Sequence, residues 1–247
     1  MCHFFSLDSN GDGKPLYFDA RIRREIISGK SKYVNTDSHT SIADYFGFEG
    51  IKEDTLNKYE YNPLTKEFVI NQLNNRDDSV EVKKFCQDLD FKTIVPELII
   101  HPVINPFKDK NKTHVYKSDI ELLKKWASVK TSVRASVKTS VRDSVWASVG
   151  ASVWDSVVDS VWASVGASVW DSVWASVGAS VRDLIGDSVW TSVGDSVWSY
   201  ISSFFDIGEN PFQSAIDLWN RGLVPSFDGI YWRLHGKDGK IIWKEGF

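Results

Sequence analysis

The chain has 247 residues, of which 42% are hydrophobic and 25% charged, and a length that allows one or two domains with a sizeable core. The formal net charge of -4 gives no support for a nucleic-acid partner, which we do not expect, and no apolar run is long enough to span a membrane. With no recognisable signal peptide and only Cys2 and Cys86 as cysteines, we expect a cytoplasmic protein without a disulfide framework.

Residues 1–117 predict an α+β head. Apolar runs at 2–7 and 15–18 flank the segment from Asp8 to Gly13, which favours a hairpin turn. That segment also matches the start of an EF-hand calcium loop, but strands replace the flanking helices, and we expect neither a metal nor a cofactor. Beyond it, the pattern predicts helices at 41–47 and 79–88 and strands at 59–61, 67–70 and 93–104.

Cys2 is the strongest enzymatic candidate. Removal of Met1 would expose an N-terminal cysteine whose own amine acts as a base, as in glutamine amidotransferases, which similarly begin with Met-Cys. The sequence departs from that pattern, because no glycine follows Cys2 and no Asn-Gly oxyanion motif is recognisable. His39, beside Asp37, would complete a Cys-His-Asp arrangement. The alternative interpretation is structural, with Cys2 buried in the first strand and Asp37 or Ser38 capping a helix.

The segment from Ala127 to Trp198 is a four-residue repeat of 18 units. Nearly every unit has Ser at its second and Val at its third position, while the fourth is Trp, Gly, Arg, Lys or Val. In one continuous helix, Val would drift by about 40° per unit and leave no single apolar face. In an extended chain the unit alternates between two faces, as in a pentapeptide-repeat-like stack. We therefore expect a tetrapeptide-repeat β-solenoid over residues 118–205.

Both ends of this stack carry sequences suited to closing it. Ser118 to Glu121 is a capping-box pattern that predicts a helix covering the first coil. Tyr200 to Phe205 is an apolar patch that would cover the last coil. Residues 206–247 then predict a helix at 211–221 and a hairpin with strands at 230–234 and 240–244.

Seven tryptophans occupy the variable fourth position of the repeat. Because that position also admits Gly and Arg, we expect it to lie outside the core. Exposed tryptophans in a row are typical of a binding face, and codon drift is the alternative explanation. The candidate binding residues are Trp146, Trp154, Trp162, Trp170, Trp174, Trp190 and Trp198.

Several short motifs resemble uncharacterised phage and bacterial proteins in which an α+β head precedes short-period β-solenoid repeats. They are Met1 to Ser6, Asp37-Ser-His39, Tyr59 to Pro63 and the exit sequence Tyr200 to Phe205. That resemblance implies a β-solenoid and no established activity. The sequence thus favours a non-enzymatic repeat scaffold that binds a protein partner through the solenoid side or the head and is compatible with self-association. The alternatives are an N-terminal-cysteine amidohydrolase with Cys2 as nucleophile and a DNA mimic.

Overall fold

A computed structural model describes residues 5–48, 54–129, 151–162 and 182–246. These residues fall into two compact units. The first contains residues 5–48, 54–102 and 151–158, and the second contains residues 103–129, 159–162 and 182–246. The three-segment division expected from the sequence stays a prediction.

The first unit is built on a three-stranded antiparallel sheet in the order β1-β2-β3. Ser6 pairs with Glu60 and Asp8 with Lys58, so these four side chains share one face of the sheet. The elements of this unit are β1 (Phe5–Ser9), α1 (Ala20–Ile27), α2 (His39–Tyr45), β2 (Asn57–Asn62), β3 (Glu67–Gln72), α3 (Ser79–Asp88) and the single turn α4 (Phe91–Ile94).

Helix α1 carries part of the apolar core of this unit. It begins after Asp19, whose side chain accepts a hydrogen bond from the backbone N–H of Ile22 and caps the helix. Ile22 and Ile26, one turn apart, pack with Phe18 and with Ile42 of α2. On the sheet, Phe5 and Tyr61 each contact the ring of Phe91 at 5.1 and 5.7 Å.

Helix α8 (Gln213–Asn220) lies at the centre of the second unit. It packs against α5 (Lys117–Ser128), α7 (Arg182–Ser202) and the strand β4 (Val224–Phe227). Its Trp219 stacks on Tyr200 of α7 at 4.7 Å between ring centroids, and both side chains hydrogen-bond the backbone of Ile104. The elements are α5 (Lys117–Ser128), α7 (Arg182–Ser202), α8 (Gln213–Asn220), β4 (Val224–Phe227), β5 (Trp232–His235) and β6 (Ile241–Glu245).

The expected β-solenoid is wrong, because the described part of the repeat is α-helical. It forms α6 (Ala151–Val161) and most of α7, while the described strands belong to two separate antiparallel sheets. The drift of about 40° per unit does not prevent burial over a short helix. In α6, Val153, Val157 and Val161 are all fully buried, since three units drift by only about 80°. The chain is therefore a small α+β fold and not a solenoid-based repeat scaffold.

Most shorter elements lie where the sequence predicts them. Helix α3, strands β2 and β3 and the C-terminal hairpin are confirmed within a few residues. The predicted strand at 93–104 is wrong. Helix α5 begins two residues earlier than the capping box at Ser118 predicts, because Tyr116 is the capping residue and Asp119 accepts from the Tyr116 N–H. The strand at 15–18 is reduced to a single bridge between Asp8 and Leu16. Among the described helices, none is both long and apolar enough to cross a membrane.

Candidate functional site

His39 is the one predicted catalytic residue that the structure describes, and it lies over the first sheet. It is the first residue of α2, whose preceding residue Ser38 accepts a hydrogen bond from Ser41 N–H, which confirms the capping interpretation. The His39 Nδ1 atom lies 2.6 Å from Asp8 Oδ1, and Nε2 lies 3.7 Å from Glu60 Oε1. Both carboxylates are almost fully buried and lie on the same face of the sheet.

The two carboxylates determine the charge of His39. Burial alone would lower the pKa of this imidazole, but the hydrogen bond with Asp8 and the nearby Glu60 outweigh it and raise the pKa to about 9. His39 is therefore protonated at neutral pH. A protonated imidazole donates hydrogen bonds and cannot remove a proton from a thiol, so the geometry suits a structural cation better than a general base.

Asp37 does not pair with His39, so this part of the expected arrangement is wrong. Its carboxylate instead binds Arg23 through two contacts of 2.9 Å, and both side chains are buried. The nucleophile candidate Cys2 lies outside the described residues. Cys86 is a buried free thiol, and burial raises its pKa to about 12, so it is not a nucleophile at neutral pH.

The described tryptophans of the repeat do not form an exposed row. Trp154 is only 3% exposed, so the expectation that the fourth position lies outside the core is wrong there. Trp162 and Trp198 are half-buried, and their rings meet edge to face at 6.3 Å. The side chain of Trp190 and the residues Trp146, Trp170 and Trp174 lie outside the described part of the chain.

Helix α2 presents aromatic side chains at the end opposite His39. Tyr45 and Phe46 are each 39% exposed, and their rings contact each other at 5.1 Å. Tyr45 also contacts the rings of Phe18 and Tyr33, at 5.5 and 6.1 Å. Phe18 is fully buried and anchors the group in the core. We call Tyr33, Tyr45 and Phe46 the aromatic patch.

Basic side chains border the aromatic patch. Arg21 of α1 donates to the Tyr45 hydroxyl at 3.2 Å, and the Lys32 ammonium lies 5.0 Å from the centre of the Tyr33 ring. Residues 20–48 contain five Lys and Arg against three Asp and Glu, whereas the whole chain carries a net charge of -4. The patch therefore lies in a positive segment of a negatively charged protein.

The second unit contains a hydrogen-bonded Ser-His pair that the sequence did not indicate. Ser226 Oγ lies 2.8 Å from His235 Nε2, and Nδ1 of the same ring lies 2.9 Å from the Gly239 carbonyl oxygen. Burial lowers the pKa of His235 to about 4, so the imidazole is neutral. This is the geometry of a nucleophile and its base. However, both side chains are almost fully buried, which closes the pair to a substrate.

Sequence reasoning also missed the aromatic patch. It predicted the helix that carries Tyr45 but did not single out its aromatic residues, and it did not predict α1. The available signal was two adjacent aromatic residues at the end of a polar helix, preceded by the basic run from Arg21 to Lys32.

Comparison of the chain with family models, with curated proteins and with solved structures finds no match. The resemblance of its short motifs to phage and bacterial proteins therefore stays a prediction.

Proposed function

We propose that this protein binds a protein partner and that the aromatic patch of the head is the contact surface. The observation that carries the proposal is the paired exposure of Tyr45 and Phe46 above the buried ring of Phe18. Aromatic residues and arginine are enriched in protein interfaces, because they bury a large area and still offer polar atoms at the rim. A rigid support under the patch reduces the entropy lost on binding.

The charge around the patch favours a partner surface with carboxylates. Arg21 and Arg24 lie one turn apart on α1, so they belong to the same side of the helix, and both are exposed. Arg21 forms an ion pair with Glu25, with 2.9 Å between Nη1 and Oε1, whereas Arg24 makes no ion pair with another described residue. An acidic residue of the partner would meet Arg24 beside the exposed rings. Such a contact accelerates association and depends on ionic strength.

Catalysis has less support from the described residues. His39 is protonated between two carboxylates, and the Ser226–His235 pair is closed to solvent. We therefore prefer binding to the amidohydrolase alternative. The proposal also includes a cytoplasmic location, which a buried free thiol such as Cys86 suits.

The test places a photoreactive benzoyl-phenylalanine at Phe46 in the full-length protein and irradiates it in an extract of the source cells. Mass spectrometry identifies the protein that is cross-linked, and calorimetry then measures its affinity for the purified chain. We expect the double variant Tyr45→Ser, Phe46→Ser to weaken this affinity by more than about tenfold, because two interface aromatics contribute at least 1 to 2 kcal/mol.

Val80 supplies the matched control, because it is 78% exposed on α3, away from the aromatic patch. Val80→Ser removes an exposed apolar side chain and is expected to leave the affinity unchanged. If the double variant and the control bind the partner equally well, the patch is not the contact surface.

A further inference from the structure

The two edges of the C-terminal sheet are protected to different extents. The strand order β4-β5-β6 leaves β4 and β6 at the edges. At the β4 edge, the Phe227 N–H donates to Ser192 Oγ at 2.9 Å, and the same hydroxyl donates to the Phe227 carbonyl at 3.4 Å. Helix α7 therefore satisfies the outward backbone groups of Phe227. Two residues earlier, Pro225 has no N–H to satisfy.

The pairing pattern identifies which backbone groups of β6 point outward. Phe227 lies opposite Trp232 on β5, and its N–H and C=O both point away from β5. The two residues therefore form a pair that is not hydrogen-bonded, so the N–H and C=O of Trp232 point the other way, toward β6. Its partner Glu245 is therefore hydrogen-bonded within the sheet. Because the pattern alternates, Lys244 directs its N–H and C=O away from the sheet. No described residue outside β6 accepts or donates a hydrogen bond there.

The side chains of β6 leave this edge accessible. Ile241, Ile242 and Trp243 are half-buried, whereas Lys244 is exposed. A lysine on an edge strand often blocks the addition of another strand. Here the Lys244 ammonium lies over the ring of Tyr231, 4.2 Å from its centre, so it packs on its own sheet.

We propose that β6 accepts an extended acidic segment of a partner protein as a fourth strand. The charge pattern favours that partner, since three exposed lysines, Lys237, Lys240 and Lys244, lie in and beside β6 against two exposed acidic residues, Asp238 and Glu245. Arg233, opposite Lys244, is already neutralised by Asp228, so an acidic side chain of the added strand would pair with Lys244 itself. A second copy of β6 would add another Lys244 to the same edge, which disfavours pairing between two copies. Backbone hydrogen bonds would supply affinity and the acidic side chains specificity.

The probe is a fluorescein-labelled peptide in which Val and Glu alternate, titrated into the full chain and followed by fluorescence anisotropy. A Val-Lys peptide tests the charge, and a Val-Glu peptide N-methylated at every second residue tests the backbone pairing. We expect only the unmodified Val-Glu peptide, and neither of the other two peptides, to bind. Hydrogen exchange measured by NMR should show the Lys244 amide slowed by about tenfold or more when the peptide is bound.

Two substitutions at Lys244 separate charge from backbone. Lys244→Ala is expected to weaken binding by about fivefold, the effect of one exposed ion pair. Lys244→Pro also removes the outward N–H without removing a bond to β5, and is expected to abolish binding. Lys83→Ala is the matched control, because Lys83 is exposed on α3 and lies outside the C-terminal sheet, and this variant is expected to bind normally.

Three results would overturn the proposal. The first is equal binding of the N-methylated and unmodified peptides, and the second is equal binding of the Val-Lys and Val-Glu peptides. The third is protection of the Lys244 amide that rises with protein concentration in the absence of peptide, which would show that a second copy occupies the edge. Because the probe peptides and Lys244→Ala do not alter the fold, the test does not depend on Lys244→Pro being stable.

Discussion

At the scale of single residues, a buried carboxylate joins three segments of the first unit. Asp78 Oδ1 accepts hydrogen bonds from the Asn57 amide and the Tyr59 hydroxyl, and Oδ2 accepts from the Ser9 hydroxyl and the Gly13 N–H. Burial alone would raise the pKa of Asp78, but these four donors lower it. The charge is therefore compensated by hydrogen bonds and not by a buried cation.

We expect Asp78→Asn to lower the free energy of unfolding by about 2 to 4 kcal/mol. The substitution replaces one acceptor oxygen by an NH₂ group, which then faces donors and leaves them unsatisfied in the protein interior. Chemical denaturation followed by circular dichroism measures the change.

The neighbouring Asp77 provides the control for this substitution. It is exposed, and its carboxylate accepts from Ser79, whose backbone N–H lies at 2.9 Å and whose hydroxyl also donates. We expect Asp77→Asn to cost less than about 1 kcal/mol, as for a helix-capping contact. Equal losses for Asp77→Asn and Asp78→Asn would show that the four donors do not stabilise the carboxylate.

At the scale of the elements, the repeat segment from Ala127 to Trp198 shows how a four-residue period can produce buried helices. In α7, the second and third positions of successive units are buried as Ser192 with Val193 and Ser196 with Val197. These residues lie one turn apart, so they form a narrow stripe of small side chains along the helix. Small side chains let the helix backbone come close to β4, which it contacts extensively. Tertiary packing thus outweighs the poor helix propensities of Ser and Val.

The sequence was sufficient where an element has a local signal. Helix α3 and the β2–β3 hairpin follow from apolar periodicity and from the turn residues Asn62 and Pro63. The sequence was insufficient for the four-residue repeat. The same Ser-Val pattern suits both an extended strand and a buried helix, and only the tertiary contacts decide between them. The partner of His39 was also out of reach, since Asp8 lies 31 residues away and only the sheet brings it close.

The serines of α7 provide a matched pair of substitutions. Ser192→Ala removes the hydroxyl that hydrogen-bonds both the N–H and the C=O of Phe227. We therefore expect the free energy of unfolding to fall by about 1 to 2 kcal/mol. The hydroxyl of Ser196 is buried without a hydrogen bond to any described residue. Ser196→Ala is therefore expected to be neutral or to stabilise by up to about 1 kcal/mol. A larger loss for Ser196→Ala, measured by urea denaturation, would contradict this assignment.

At the scale of the whole molecule, buried histidines with raised and lowered pKa values give opposite pH responses. In the first unit, His39 keeps its proton up to about pH 9, whereas the unfolded chain releases it near 6.5. Between these values the folded state binds more protons, so the free energy of unfolding falls as pH rises. In the second unit, His235 stays neutral down to about pH 4, while the unfolded chain takes up a proton near 6.5. Stability there falls as pH decreases from 6.5 toward 4.

We therefore expect thermal stability to be highest near the ordinary histidine pKa of 6.5 and to fall on both sides. We call the fall in stability above pH 6.5 the alkaline limb and the fall below it the acid limb. Each histidine contributes at most about 3 kcal/mol to the free energy of unfolding, and calorimetry at about pH 5, 6.5 and 8.5 measures both limbs. His39→Gln should flatten the alkaline limb only. His235→Gln should reduce the acid limb only, and burial of His101, which lowers its pKa, accounts for part of what remains. The buried carboxylates with lowered pKa lose their contribution below 3.8, outside this range. If His39→Gln leaves the alkaline limb intact, the Asp8–His39–Glu60 cluster does not hold the proton, and the structural role assigned to His39 is wrong.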